Sequence, residues 1–482
     1  MATVSHHRSP LAGTWYPEDA AELRDLLALS RANSVSRTGS FLRRGGRAFL
    51  VPHAAPLYSG TVAAATYRHV QAAGAERVII LGFSHRRPIH GVSVPILEDI
   101  ETPLGSVPVD RAAAGALAAA PPFHAVAEPL VCDHSVEIQI PFLQTFLPGA
   151  AIVPLYVGHL TADQRRVAAA RLREHLDART ILLASSDLTH FGYQFDYLPF
   201  EPGESTADDL RALDMGVLAA AGSLDADLFA HQLSNTRSTV CGSAPIELML
   251  ETIAGLGEEL YQETLDYDTS GAIMRDYRHS VSYGAAGYFP ASAWWLEPAD
   301  QTALLAAARF TLEPFLRNGR RRFAADPGAG ALSQPGRAFV SLYEHGELRG
   351  CVGCFEYPQS LIEIVPRLAL DALADRRFAR VADPDGVEIE VHVLTPPRRI
   401  ADPRQLRPGE HGAYLKSGAR QGLLLPVVAE HHGFSRSEFL RALARKAGLP
   451  DTVYMGEGWE LSLFRDQRFQ ENRGAAPPDR PA

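Results

Sequence analysis

The stretch ILLASSDLTHFGY, Ile181–Tyr193, begins as a buried strand and then stops being one. Its apolar residues give way to Ser185, Ser186, Asp187 and His190. Either these polar groups cap a turn or they face a site, and neighbouring runs bear on which. RAFLVP (Arg47–Pro52), RVIILGF (Arg77–Phe83), AIVPLYVG (Ala151–Gly158) and TILLAS (Thr180–Ser185) are apolar throughout rather than alternating. That is the pattern of strands covered on both sheet faces. Helical patterns such as TVAAATYRHVQAAG and TADQRRVAAARLREHLDA lie between them. The alternation predicts an α/β layered domain with a mostly parallel sheet.

Several of these strands deliver a reactive residue just past their carboxyl ends, where open α/β sheets bind ligands. Arg47–Pro52 is followed by His53, Arg77–Phe83 by Ser84 and His85, and Thr180–Ser185 by Ser186, Asp187 and His190. One such histidine is ordinarily a loop residue or a satisfied core imidazole, and one such aspartate an N-cap. Three such ends on one sheet point to a site. RSTVCGSAPIELML, Arg237–Leu250, adds Cys241 at the expected start of a helix, where the dipole is expected to lower a thiol pKa. Two imidazoles and a thiolate suit zinc, iron or copper better than magnesium or calcium. Three protein ligands would leave a position open for water, oxygen or substrate. In DHSVEIQIPFLQ, Asp133–Gln144, His134 and Glu137 are three apart and share a helix face; the segment either simply starts a helix or orients a ligand imidazole, and both residues join the candidate catalytic set.

Bulk composition bounds the alternatives. A chain of 482 residues predicts two or three domains. Its hydrophobic content of 46% and charged content of 21% are those of a soluble globular protein. No apolar run reaches the ~18 residues of a membrane span, and MATVSHHRSPLAGTWYP lacks the pattern of a secretory signal. Four cysteines do not make a disulfide framework and fit a reducing cytoplasm. A formal net charge of −10 argues against general nucleic-acid binding. There is no dinucleotide fingerprint, no phosphate loop and no HExxH helix, and Ser84 lacks the second glycine of a nucleophile elbow.

The α/β pattern ends near Pro290, and FPASAWWLEPADQTA reads as a junction, with residues 291–300 as linker. A helix over Ala303–Leu316 opens a second region, 301–470, which reads as α+β. RAFVSLYEHGELRGCVG predicts a hairpin turning at His345-Gly346, and GVEIEVHVLTP an alternating strand. Cys351 and Cys354 form one C-x-x-C pair. On a strand the two would point to opposite faces, so chelation would need a local turn at Gly353. LRGC, DRRF (Asp375–Phe378) and GLLLP (Gly422–Pro426) either line a pocket or form a packed hairpin. Residues 471–482 read as a disordered tail.

VPHAAPLYSG, LGFSH, DHSVEIQIPFLQ, SSDLTHFGY, STVCGSAPI and SVSYGAAGYF, in that order, resemble the Memo family over roughly residues 8–290. ELRGCVGCF, DRRF, EIEVHVLTP, GLLLPVVAEHHGF and FLRALARKAGL resemble AMMECR-type domains over roughly 300–470. The chain is therefore similar to a fusion of the B and A components of the AmmeMemoRadiSam system, which implies a radical SAM protein as partner. The Memo resemblance implies a fold similar to class III extradiol dioxygenases. It implies metal ligands at His53, His85 and Cys241, with Asp187 and His190 lining the same cavity and His190 as acid/base. A thiolate stands where the dioxygenases hold a carboxylate, which departs from ordinary catechol cleavage. The function expected is a non-haem metal redox enzyme, with Fe(II) favoured over copper or zinc, acting on a small aromatic or chelating substrate. The competing expectation is a binding or scaffold protein with a vestigial cleft.

Overall fold

The computed structural model describes residues 5–127, 131–326, 328 and 330–471. The chain divides into two compact units, Met1–Ala293 and Trp294–Ala482.

The strands of the first unit are β1 (Ser5–Arg8), β2 (Ala48–Val51), β3 (Arg77–Gly82), β4 (Val92–Pro95), β5 (Leu97–Thr102), β6 (Gly105–Pro108), β7 (Phe123–Val126), β8 (Ala151–Val157), β9 (Thr180–Ser185), β10 (His190–Gly192), β11 (Leu260–Thr269) and β12 (His279–Pro290). The main sheet runs β10-β12-β2-β9-β3-β8-β4-β7, with β11 paired to β12; β1, β5 and β6 form a small second sheet. Its heart, β2-β9-β3-β8, is parallel, as the unbroken apolar runs predict. Every residue of β2 and β9 is buried.

The flanks make the sheet mixed. β12 runs antiparallel to β2, β10 and β11, and β4 antiparallel to β8. The connection from β11 to β12 holds only the short helix Ser270–Met274. It is too short for the crossover of a dozen or more residues that a parallel pair needs. Helices cover the parallel strands. Pro56–Ala73 starts on a proline, suited to the first helical turn. Ala162–Arg173 starts on a capping box between Thr161 and Gln164. Tyr67 and Phe142, both buried, stack at 5.2 Å between helices.

The second unit has β13 (Pro335–Glu344), β14 (Glu347–Ser360), β15 (Val387–Leu394), β16 (Arg398–Ile400), β17 (Gly412–Ser417), β18 (Arg420–Leu424), β19 (Glu460–Phe464) and β20 (Asp466–Gln470). They form two antiparallel sheets, β14-β13-β15-β20 and β16-β19-β17-β18. The β13–β14 hairpin turns at His345 and Gly346, with φ of 53° and 81°, the left-handed pair of a two-residue turn. β15 does not alternate: all but one of its residues are buried, because it lies inside its sheet. The opening helix spans Pro298–Asn318 and starts before Ala303, since Pro298 is well placed in a first turn. Ala291–Trp294, read as linker, forms a 3-10 turn. Glu471, read as the start of the tail, is instead fixed, its carboxylate accepting from Arg309 Nε at 2.9 Å and its N–H donating to the Ile389 carbonyl; residues 472–482 lie outside the described residues.

Candidate metal centre

The strand ends of the parallel heart meet where the sequence places the reactive residues. His53 follows β2, His85 follows β3, and Asp187 follows β9. Cys241 comes from the loop before the helix Ser243–Ala254. Donor atoms of His53, His85 and Cys241 lie within 4.8 Å of one another, and His53 Nε2 is 3.1 Å from Cys241 Sγ. For tetrahedral coordination at ordinary zinc bond lengths the N···S separation is roughly 3.5 Å, so a few tenths of an ångström of opening would admit an ion.

Glycines allow the approach. A Cβ at Gly242 would stand 2.5 Å from Ser186 Cβ and 2.6 Å from the Ser185 carbonyl oxygen. Only glycine lets the cysteine loop close on the end of β9. A Cβ at Gly82 would meet Ser135 Oγ and Val136 Cγ2, each at 2.6 Å. Glycine there seats the short helix His134–Glu137 against β3.

Hydrogen bonds fix which nitrogen of each imidazole faces inward. Ser185 Oγ donates to the Ser135 carbonyl and accepts from Gln139 Nε2 at 3.0 Å. The Gln139 amide is itself oriented by the Tyr67 hydroxyl, which donates to its Oε1 at 2.9 Å. With the serine proton committed, His53 Nδ1, 3.2 Å from Ser185 Oγ, is the donor. Its Nε2 lone pair then faces Cys241. Asp133 does the same for His85: Oδ1 lies 2.9 Å from Nδ1, and Oδ2 accepts the His85 backbone N–H at 3.0 Å. Asp133 also caps the helix that follows, accepting from the Ser135 N–H at 3.0 Å.

Burial sets the charge states. It lowers His53 to about 3, with the charge of His85 adding to the effect, and lowers His134 to about 3. Burial works against the Asp133 carboxylate, but the His85 hydrogen bond and His134 outweigh it and hold the group at about 2. Cys241 corrects an expectation. Its thiol is raised rather than lowered, because burial and the neighbouring Asp187 outweigh the hydrogen bonds it receives, among them the Asp187 N–H at 3.3 Å. The helix itself begins only at Ser243.

A cavity of about 470 Å³ opens over His53 and His85, walled by Trp15, Tyr58, His134, His190, Phe195 and Tyr283, among others. His134 stacks between Trp15, at 4.4 Å, and His85, at 4.0 Å. His190 Nδ1 is held by the carbonyls of Leu188 and Thr239 at 3.1 and 3.2 Å, which leaves Nε2 as its proton acceptor. Asp187 also lines the cavity, yet its Oδ1 accepts the backbone N–H groups of His53 and Ala54 at 2.8 and 3.3 Å. That carboxylate oxygen fixes the His53 segment and does not orient the His190 ring. Burial pushes its pKa up.

Glu137 does not join the cavity wall. It is fully buried, and its carboxylate lies 3.2 Å from His7 of β1. A helix of one turn turns positions three apart only partly onto one face, and here His134 faces the cavity while Glu137 faces β1. Ser185 stands among the polar residues that end the strand, and Asp133 and Gln139 lie within DHSVEIQIPFLQ, but nothing local in the sequence names their partners. The signal for Asp133 was its cap position immediately before His134.

The second group of potential donors, His85, Asp133 and His134, also lies within 4.8 Å. Its carboxylate is already committed to His85 and to the helix cap, so it serves as support. Cys351 and Cys354 both sit in continuous β14, with no turn to bring them to one ion.

A family model described as Memo-like protein matches residues 8–287, and one described as AMMECR1 matches residues 305–469. The protein memo-1 homolog of Caenorhabditis elegans is 28% identical over 58% of this chain and 81% of its own length. Protein MK0488 of Methanopyrus kandleri is 34% identical over 36% of this chain and 89% of its own. Among solved structures, uncharacterized protein PH0010 from Pyrococcus horikoshii is 30% identical, covering 35% of this chain and 90% of that one with a TM-score of 0.34. With more than half its length under the Memo-like model and an AMMECR1 domain after it, the chain belongs to the Memo-like family as a fusion with AMMECR1.

Proposed function

We propose that the first unit is a non-haem metal redox enzyme, holding one metal between His53, His85 and Cys241 and acting on a small aromatic or chelating substrate. The observation that carries this reading is the convergence of two imidazole lone pairs and a thiol at the strand ends, each imidazole tied at Nδ1. Iron(II) or copper is favoured, with zinc as the redox-inactive alternative, because imidazole and thiolate suit all three. When bound, the metal supplies Lewis acidity and, for iron or copper, electron transfer.

The chain's own residues supply the rest. Trp15, Tyr58 and Tyr283 give the cavity flat apolar walls. His190 Nε2 takes or returns the substrate proton, its ring held by two carbonyls. Asp187 holds the His53 segment. The cysteine ligand, in place of a carboxylate, makes the site softer than that of the dioxygenases the family resembles.

Metal analysis after anaerobic purification tests the reading. About one metal per chain is expected in the wild type, and loss of it in a His53→Ala/Cys241→Ser variant. Equal, negligible metal in both would sink it. From the resemblance of the joined Memo-like and AMMECR1 halves to the AmmeMemoRadiSam components we infer a radical SAM partner, and the four cysteines fit a reducing cytoplasm. Anaerobic co-purification should recover that partner, and no association would count against it. Among the described residues no helix is long and apolar enough to cross a membrane.

A further inference from the structure

The second unit contains a groove that the proposed metal chemistry leaves unused. Its volume is about 700 Å³, inside the ~300–1,000 Å³ typical of small-molecule sites. It lies along β14 and β18, both edge strands of their sheets.

Glycines build this groove. A Cβ at Gly350 would stand 1.9 Å from the Ala372 carbonyl oxygen. Only glycine lets the end of the helix Leu361–Leu373 rest on β14, and the chain leaving that helix carries Asp375, Arg377 and Phe378. A Cβ at Gly422 would stand 2.7 Å from the Ala447 amide nitrogen. Glycine there lets the end of the helix Arg436–Lys446 close on β18 and brings Lys446 to the groove. Gly353 carries the Phe339 ring, which a Cβ would meet at 2.4 Å. The glycines of LRGC, GCVG and QGLLLP thus shape one site.

Two groups of each sign bear on the groove, and they differ in how they are paired. Asp375 is fully engaged, accepting from the Cys351 N–H at 3.1 Å and from Arg377 Nε and Nη2 at 2.8 and 2.7 Å. Arg377 also donates to the Cys351 carbonyl at 2.6 Å. Glu356 is engaged by the Tyr414 hydroxyl at 2.7 Å. Lys446 forms no ion pair with a described residue; burial, then the like charge of Arg377, lower its pKa. The Cys351 thiol lies in the same field, under the influence of Lys446 and Arg377. The groove therefore offers, beside aromatic walls, a lysine with no direct ion pair to a described residue, with the Glu356 carboxylate also in its lining.

We propose that this groove binds a small organic anion with a flat apolar body, its acid group seated against Lys446 and the Arg377–Asp375 pair and its body on Phe339, Phe355 and Phe378. The site is independent of the metal centre and stands or falls without it.

The test uses the full chain with two dyes, 8-anilinonaphthalene-1-sulfonate and its uncharged relative N-phenyl-1-naphthylamine. Lys446→Glu should weaken the sulfonate by about tenfold or more, the loss of one charge-assisted contact, and leave the neutral dye nearly unchanged. Gly422→Ala, which displaces the lysine-bearing helix, should weaken the sulfonate too. Saturating sulfonate should slow alkylation of Cys351 by iodoacetamide, read by peptide mass mapping, which assigns the binding to this groove. Unchanged sulfonate affinity in Lys446→Glu, or an unprotected Cys351 at saturation, would overturn the proposal.

Discussion

Asp133 holds the site together at the scale of single residues. One carboxylate orients the His85 ring, accepts its backbone N–H and caps the helix bearing His134. Asp133→Ala should lower metal affinity by ~10–100-fold, as loss of a ligand's orienting partner does, measured by competition with a chelating dye. A second prediction comes from the charge states. His53 is already neutral at pH 7, whereas the Cys241 thiol, raised by burial, is protonated. Metal binding should release about one proton per ion. Calorimetry in buffers of different ionisation enthalpy would measure it, and Cys241→Ser should abolish it. The proposed ligand residues are legible in the sequence because each follows an apolar strand run or precedes a helix. Their supports are less so: Ser185 and Gln139 matter through contacts that the fold makes across 50 and 46 positions.

At the scale of elements, the motifs LGFSH and VCGSAP are glycine contacts as much as reactive groups. Gly242→Ala places a Cβ 2.5 Å from Ser186 Cβ and should push the cysteine loop off β9. Overpacking of this kind costs ~1–3 kcal/mol, measurable by urea unfolding of the metal-free chain, and should also weaken metal binding. The parallel heart of the first sheet was readable from unbroken apolar runs, since strands buried on both faces have no polar alternation. The antiparallel flanks were not, because β11 and β12 are matched by register across a short connection and not by composition. GVEIEVHVLTP misleads for a related reason. Its Glu390 and His392 look solvent-facing but are buried and satisfied by partners distant in sequence.

At the scale of the whole molecule, each unit responds to its own chemistry. In the second, His392 is fully buried between Asp466, at 2.6 Å, and Glu390, at 3.1 Å. Burial opposes its charge, but the two carboxylates outweigh burial and raise its pKa above 6.5. A raised folded-state pKa gives stability that is full below the unfolded value and is lost as pH rises through the folded one. The second unit's resistance to denaturant should therefore fall on the alkaline side of pH 6.5, and His392→Asn should flatten that slope. Burial likewise opposes Glu390, yet His392 holds its pKa down, so that contribution fades instead as pH falls through its folded value. Metal, by contrast, should stabilise the first unit alone, by mass action.

We propose that His53, His85 and Cys241 bind one metal together. X-ray absorption of the zinc-loaded chain tests it most directly. One sulfur scatterer at about 2.3 Å and nitrogen scatterers at about 2.0 Å are expected, with the sulfur lost in Cys241→Ser. A stoichiometrically bound metal with no sulfur neighbour in the wild type would contradict it.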